Sequence, residues 1–367
     1  MSGSLPNAGL SRRRLRVAIA MPGGFDFGGI GRMMHYATRG WEGPDAPDWW
    51  LVDGRGDGSL LWSPLMLLRA SLGLVRRRPD LLHLNVANKG STLRKLVLSL
   101  AARGLRIPTI VHLHYGAYGP DLARRSALVR RLVVAMFRRA RLVIVLGRND
   151  ARLAEDVLGV ASSRILVVHN AVPDPGPVPD RRHRSGPVRL LFLGRFDAPE
   201  KAVDVLLTAL AAPALLDRDW HLVVAGRGDK TVLAAPLALP GIAERITFVG
   251  WLPQAEVYER CREADILLLP SHSEGQAMSL LEAMAHGLAI VTTPVGAHLE
   301  AVTDQQEALI VPPGDASALG AAIARLIDDR DLRVTLGSNA RARYCGAFDA
   351  SQYSNRLRQI YSRALGE

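Results

Sequence analysis

The chain has 367 residues, of which 48% are hydrophobic and 22% charged, and a formal net charge of +11 with a pI near 10.3. That length exceeds one ordinary core and calls for two domains, and the composition excludes a disordered chain. Cys261 and Cys345 are the only cysteines, outside any C-x-x-C pair, which excludes a disulfide framework and a thiolate metal site and points to a reducing compartment.

Residues 1–14 hold basic residues ahead of an apolar run too short and glycine-interrupted for a signal segment, and are expected to be a disordered tail. No window approaches the roughly 20 apolar residues of a membrane span. The expectation is a soluble, cytoplasmic chain with an anionic partner: nucleic acid, an anionic membrane face or a phosphate-bearing small molecule.

From Arg16, the runs "RVAIAM", "DLLHLN", "TIVHLH" and "RLVIVL" read as buried strands separated by helix-like segments. Such alternation predicts an α/β domain over 15–175 with a parallel, doubly wound sheet. Within it, "ARRSALVRRLVVAMFRRARL" alternates arginines with apolar residues at helical spacing. It predicts a basic amphipathic helix over 121–142, either a membrane-facing surface or a solvated face.

"NAVPDPGPVPDRRHRSGPVR" is rich in Pro, Gly and charge, and reads as a linker over 172–187. The alternation then restarts with "RLLFLG", "WHLVVAG", "RITFVG", "DILLLPS", "LAIVTT" and "ALIVPP", predicting a second doubly wound domain over 176–350. The segment 351–367 reads as an amphipathic helix crossing back to the first domain. Two such domains leave a cleft at the carboxyl ends of their strands, where open α/β sheets bind ligands.

Four loops at strand ends stand out. "MPGGFDFGGIGRM" places Gly28, Gly29 and Gly31 ahead of a helix whose N-terminus can hold an anion, though not in dinucleotide register; it is either an anion loop or a structural turn. In "TIVHLHYGAYG", His112 reads as a core histidine and His114 as a cleft contact. Arg195 and Lys201, flanking a strand-to-helix turn, form a pair able to clamp a diphosphate, Arg through its planar fork and Lys as a point charge. The fourth, "SEGQAMSLLEAMAHG", starts a helix near Ser279 and leaves the backbone N–H groups from Gln276 onward free for phosphate or sugar oxygens. Glu274 and Glu282 would accept sugar and ribose hydroxyls there, or else are two solvated carboxylates at a helix start.

The ordered set "PDLLHLN", "HLHYG", "VVHNAV", "LGRFDAPEKAVD", "VVAGRGD", "FVGWLP" and Glu-x(7)-Glu in "EGQAMSLLEAMAHG" resembles glycosyltransferase family 4, retaining enzymes of the GT-B fold. It looks like the subgroup that builds bacterial exopolysaccharide or lipid-linked glycans. The resemblance implies a UDP- or GDP-sugar donor, a glycan or lipid-linked acceptor, and no cofactor or metal. It implies Arg195 and Lys201 as the diphosphate clamp, Glu282 as ribose acceptor, and Glu274 with Gly275, Gln276, Ala277, Met278 and Ser279 around the donor sugar and its phosphates. Gly28, Gly29, Gly194 and Gly226 would line the donor site. Gly31, Arg32, His114 and Tyr115 would lie on the acceptor side, with His114 near the reacting carbon. Asp217-Arg218-Asp219 is a D-x-D that reads as a turn rather than a metal motif. Ala202 and Ala171 stand where the family has glycine, a change costly only if φ is positive. The acceptor-side domain would hold the basic helix against an anionic membrane at the inner face. A nucleotide-sugar epimerase of the same fold and a non-specific anionic-surface or nucleic-acid binder are the competing readings; no nucleic-acid signature accompanies the arginines.

Overall fold

The computed structural model describes residues 14–21, 28–41, 46–52, 63–87 and 89–366. The expected tail, but for Arg14, and residues 22–27 of the first glycine loop lie outside the described residues.

The first domain runs β1 (Arg16–Ala20), α1 (Gly28–Arg39), β2 (Asp48–Val52), α2 (Ser63–Arg77), β3 (Leu81–Val86) and α3 (Lys89–Gly104). It continues with β4 (Thr109–Leu113), α4 (Tyr118–Ala123), α5 (Ala127–Arg139), β5 (Leu142–Val145), α6 (Arg148–Arg152) and β6 (Ile165–Val167). Its sheet is parallel, in the order β2-β1-β3-β4-β5-β6. Side chains alternate across it. Ala18 and Ala20 face the core under α2, α3 and α5, while Val17 and Ile19 face α1 and the C-terminal helix. The four strand runs read from the sequence are all present. β2, "DWWLV", and the three-residue β6 were missed; both are edge strands of mostly intermediate burial.

The second domain runs β7 (Val188–Leu193), α7 (Val203–Leu210), α8 (Pro213–Leu216), β8 (Trp220–Ala225), α9 (Ala234–Leu237), β9 (Ile246–Gly250) and α10 (Gln254–Glu263). Then follow β10 (Ile266–Leu269), α11 (Met278–Ala285), β11 (Ala289–Thr292), α12 (His298–Ala301), β12 (Leu309–Ile310), α13 (Ala316–Asp328) and α14 (Arg330–Ala347). All six strands match the apolar runs named above, and they pair in parallel in the order β12-β11-β10-β7-β8-β9. Strand order reverses between β7 and β10, and between β1 and β3 in the first sheet. Loops leaving these strands flank the crevice that such a switch point opens.

The C-terminal helix α15 (Ala350–Leu365) buries Tyr353, Leu357, Ile360 and Tyr361 against Val17, Ile19, Met33 and Ile110 of the first domain. Each such side chain contributes roughly 2 kcal/mol on burial. Residues 172–187, although without periodicity, are anchored. Arg181 donates to the carbonyls of Cys261 (2.9 Å), Ala264 (2.8 Å) and His286 (2.9 Å), satisfying orphan groups at the ends of α10 and α11.

The single basic helix expected over 121–142 is corrected to two. α4 ends at Ala123, and Ser126 caps α5 by accepting from the Val129 N–H; a serine hydroxyl there competes with helix continuation. On α5 the apolar residues Val133, Met136 and Phe137 are buried in the first core, so much of the expected apolar face is already used. Asp217-Arg218-Asp219 is the turn between α8 and β8, with Arg218 paired to Asp328.

Candidate functional site

Between the two domains lies a cavity of about 440 Å³. The loop after β7 brings Gly194, Arg195 and Lys201, that after β8 brings Gly226 and Arg227, and that after β10, with α11, brings Glu274 to Ser279 and Glu282. From the first domain come Gly28, Gly29 and Arg32 on α1, and His114 at the end of β4. The structure thus brings together nearly every residue singled out in the sequence. Two expected acceptor-side residues lie outside the cavity. Gly31 is buried within α1, and Tyr115 faces a small separate cavity beneath α4, drawn away by its contact with Asp121.

Close backbone approach explains two glycines. A Cβ on Gly116 would lie 1.7 Å from the Glu274 carbonyl oxygen of the opposite domain. One on Gly226 would lie 1.7 Å from the Gly194 carbonyl oxygen. No side chain but hydrogen fits at either position.

Charges in the cavity are matched. Lys201 Nζ donates to Glu274 Oε1 at 2.6 Å, and the Ser271 hydroxyl donates to the same oxygen at 2.7 Å. Arg195, 64% exposed, is paired among the described residues with Asp197 alone, through Nε at 3.1 Å. Its guanidinium edge is therefore open to an incoming anion. Glu282, 2% exposed, lies under Arg32 Nη1 (3.4 Å) and Gln254 Nε2 (3.1 Å), both on Oε1, and Arg32 also donates to Gln254 Oε1 at 3.0 Å. Arg32 and Glu282 stand 250 positions apart in sequence, and no spacing pattern announces such a pair. A second cross-domain clasp was missed for the same reason: Gln276 Oε1 accepts from the Asn170 N–H at 2.5 Å, and Asn170 Nδ2 donates to the Gln276 carbonyl at 3.0 Å. Trp251, 42% exposed with Arg227 over its ring, lines the same cavity.

α11 begins at Met278 behind Ala277, which offers no side-chain cap. Ala277, Met278 and Ser279 at its start line the cavity, and the first turn of a helix carries free N–H groups and the positive end of the dipole. His114 sits at the end of a buried chain. Tyr361 Oη is 2.7 Å from His83 Nδ1, His83 Nε2 is 3.3 Å from His112 Nδ1, and the His112 and His114 rings stack with centroids 3.8 Å apart. His114 Nε2 lies 2.8 Å from Asn85 Oδ1. With that oxygen accepting, Nε2 carries the proton and Nδ1 remains an acceptor. Burial first, then His83 and Lys95, push His114 down to about 3, so the ring is neutral. His112, read as a core histidine, is fully buried.

Of the two alanines in glycine positions, Ala202 has φ +52°, the left-handed region, and is wholly buried ahead of α7, whereas Ala171 is absent from the positive-φ residues. The costly branch therefore applies to Ala202. Among the described residues no group of three His, Cys, Asp or Glu side chains is placed to hold a metal ion, and no helix is long and apolar enough to cross a membrane.

Two family models match the chain in succession: Glycosyltransferase Family 4 over residues 9–174 and Glycosyl transferases group 1 over residues 187–329. A 2-deoxystreptamine glucosyltransferase of Streptomyces kanamyceticus is 30% identical over 277 residues, covering 70% of both chains. The chain belongs to glycosyltransferase family 4. This family 4 chain is also 35% identical over 167 residues to a phosphatidyl-myo-inositol mannosyltransferase of Mycobacterium leprae, a match spanning 44% of either protein. The crystal structure of Anabaena Alr3699/HepE in complex with UDP and glucose superposes with a TM-score of 0.75 at 17% identity, covering 95% of this chain and all of that one. The fold of this family 4 member is GT-B.

Proposed function

We propose that the protein transfers a hexose from a UDP- or GDP-sugar to a hydroxyl of a glycan or lipid-linked acceptor in cell-surface polysaccharide synthesis, with retention of the anomeric configuration and without a metal ion. The observation that carries this reading is the convergence, in one cavity, of an open guanidinium (Arg195), an ammonium (Lys201), an uncapped helix N-terminus (α11) and two carboxylates (Glu274 and Glu282). The cations and the helix N-terminus suit a diphosphate, and the carboxylates suit sugar hydroxyls. The mannosyl- and glucosyltransferase relatives support a hexosyl donor.

In this reading Arg195 exchanges Asp197 for the diphosphate, and Lys201 leans from Glu274 toward the same group. The glycosidic C–O bond then breaks with its electron pair going to the diphosphate, whose charge the two cations and α11 stabilise. The acceptor hydroxyl attacks from the same face, and its proton passes to the leaving phosphate oxygen. His114 Nδ1 accepts from a sugar hydroxyl, and Glu282, steadied by Arg32 and Gln254, accepts from the ribose. Glu274 as a covalent nucleophile is the alternative route, and its bond to Lys201 argues against it, because a carboxylate so held is a weaker nucleophile. The basic face of α5, with Arg130, Arg131, Arg138 and Arg139, supports a peripheral position on an anionic membrane at the cytoplasmic side.

Product analysis tests the proposal. Donor sugars incubated with glycan and lipid-linked acceptors are expected to yield a new glycoside of the donor's own anomeric configuration with free nucleoside diphosphate, undiminished by a chelator. An inverted product would overturn retention. A changed sugar still attached to its nucleotide, formed from donor alone, would mean an epimerase instead.

A further inference from the structure

The flank of the first domain is chemically one-sided. Helices α2, α3 and α5 pack side by side there and contain no Asp or Glu. Leu93, Val97 and Leu100 on α3 and Leu128 and Leu132 on α5 are nevertheless exposed. Both helices follow strand ends near the cleft and run back toward the opposite end of the sheet. At that far end a cavity of about 460 Å³ opens between them, beside the last residues of α15. Arg103, Arg106, Arg139 and Arg141 surround it, Leu100 and Leu132 of the exposed stripe continue into its wall, and among the described residues no carboxylate lines it. Arg141 Nε donates to the Ala364 carbonyl at 3.2 Å, fixing one side.

The negative end of a helix dipole accounts for a cation or two in the last turn of α3 or α5. Four guanidiniums around one cavity, with no acid among its described lining residues, exceed that need. A guanidinium fork matches phosphate oxygens in pairs, and the aliphatic wall suits the acyl chains next to such a headgroup. We propose that this groove binds the phosphate headgroup of an anionic phospholipid, with the exposed leucines of α3 and α5 seated at the acyl boundary. Bound along this flank, the bilayer runs from the groove toward the cleft end of the domain. The proposal deepens the membrane reading above and rests on it: it moves the contact from one helix to a built site shared by α3, α5 and α15.

Flotation with vesicles tests it. The whole protein is mixed with phosphatidylcholine vesicles and with vesicles that also contain phosphatidylglycerol; binding is expected only to the second. Arg103→Gln with Arg139→Gln is expected to weaken that binding roughly thirty-fold, from about a factor of five for each basic group near an anionic surface. The same loss of two charges on the second domain, Arg325→Gln with Arg343→Gln, is expected to change it by less than about two-fold, because charges beyond a Debye length are screened. Leu100→Gln with Leu132→Gln, which leaves charge untouched, is expected to weaken binding as well. Equal binding to both vesicles, or equal loss from both arginine pairs, would overturn the groove. So would inorganic phosphate raising the melting temperature through Arg103 and Arg139 while vesicles stay unbound, because the site would then take a free anion. Each variant is also melted with UDP and GDP, which report the cleft alone. A nucleotide shift that persists while flotation ignores the groove defeats only this proposal, and groove-dependent flotation with no nucleotide shift defeats only the donor reading.

Discussion

The cleft and the basic flank are both rich in cations but arrange them in opposite ways. In the cleft Lys201, Arg195 and Arg32 each meet a carboxylate: Glu274, Asp197 and Glu282. On the flank, α2, α3 and α5 carry no carboxylate at all. Matched charges hold a ligand-sized cavity in shape and can be exchanged for a ligand's own charges one by one. Cations on helices that carry no carboxylate of their own leave a surface potential that an extended anion can satisfy. A pI of 10.3 thus describes two different properties, a specific electrostatic site and a general surface potential, and net charge alone does not separate them.

The sharpest way to break the comparison is to remove a matched cation. Lys201→Ala is expected to lower the turnover rate roughly 100- to 1000-fold, the usual effect of deleting one preorganised stabiliser of developing charge, whereas Arg130→Ala on the flank leaves turnover of a soluble acceptor unchanged. Steady-state release of nucleoside diphosphate reads both. If Lys201→Ala retained full activity, the paired cation would be structural.

Acid titration comes next. His83, fully buried against Tyr361, is pushed down to about 3 by burial, and His114 to about 3 as well. The unfolded chain takes up these protons near 6.5 and the folded chain does not, so stability is full above 6.5 and falls as pH drops toward 3. Each ring contributes about 1.4 kcal/mol per pH unit within that window. Melting temperatures taken from pH 7 down to 4.5 should fall steeply, and His83→Gln should flatten the slope; an unchanged slope would remove the histidine chain from the acid response.

Arg32→Ala leaves the buried Glu282 carboxylate with Gln254 as its remaining cross-helix donor, and is expected to cost about 2 kcal/mol and to weaken nucleotide binding. Denaturant unfolding with and without UDP separates the two effects. The smallest expected change is a gain. Ala202→Gly relieves a left-handed backbone and should stabilise the fold by about 1 kcal/mol, a rise of about 2 °C in melting temperature. A fall instead would mean that packing of the buried methyl outweighs the strain.

Much of this was legible in the sequence. The six strands of the second domain are short apolar runs bounded by turn residues; β10, β11 and most of β7 are buried on both faces and leave that signature, and the edge strands β9 and β12 are legible from apolar runs that glycine or proline ends. The cavity residues Arg195, Lys201 and those from Glu274 to Glu282 were legible because each follows such a run. What was not legible depends on long-range pairing. β2 and β6 lie at the sheet edge, with too little burial to write a pattern. The Arg32–Glu282 and Asn170–Gln276 contacts join residues from different domains. Arg181 sits in what reads as a loose linker and is held by carbonyls that carry no side-chain signal. One miss had a signal: Ser126, followed by a helix-forming stretch, is an N-cap residue type in a helix-start context, and it divides the basic segment in two.

The most direct test of the central claim is calorimetric titration of UDP and GDP into the wild type and into Arg195→Ala. The expected result is that one of the two nucleotides binds the wild type and that the substitution weakens it by about ten-fold or more, the loss of a charge-assisted hydrogen bond of roughly 1.5–3 kcal/mol. Binding that is absent from the wild type, or equal in both proteins, would contradict the assignment of this cleft as a nucleoside-diphosphate site clamped by Arg195.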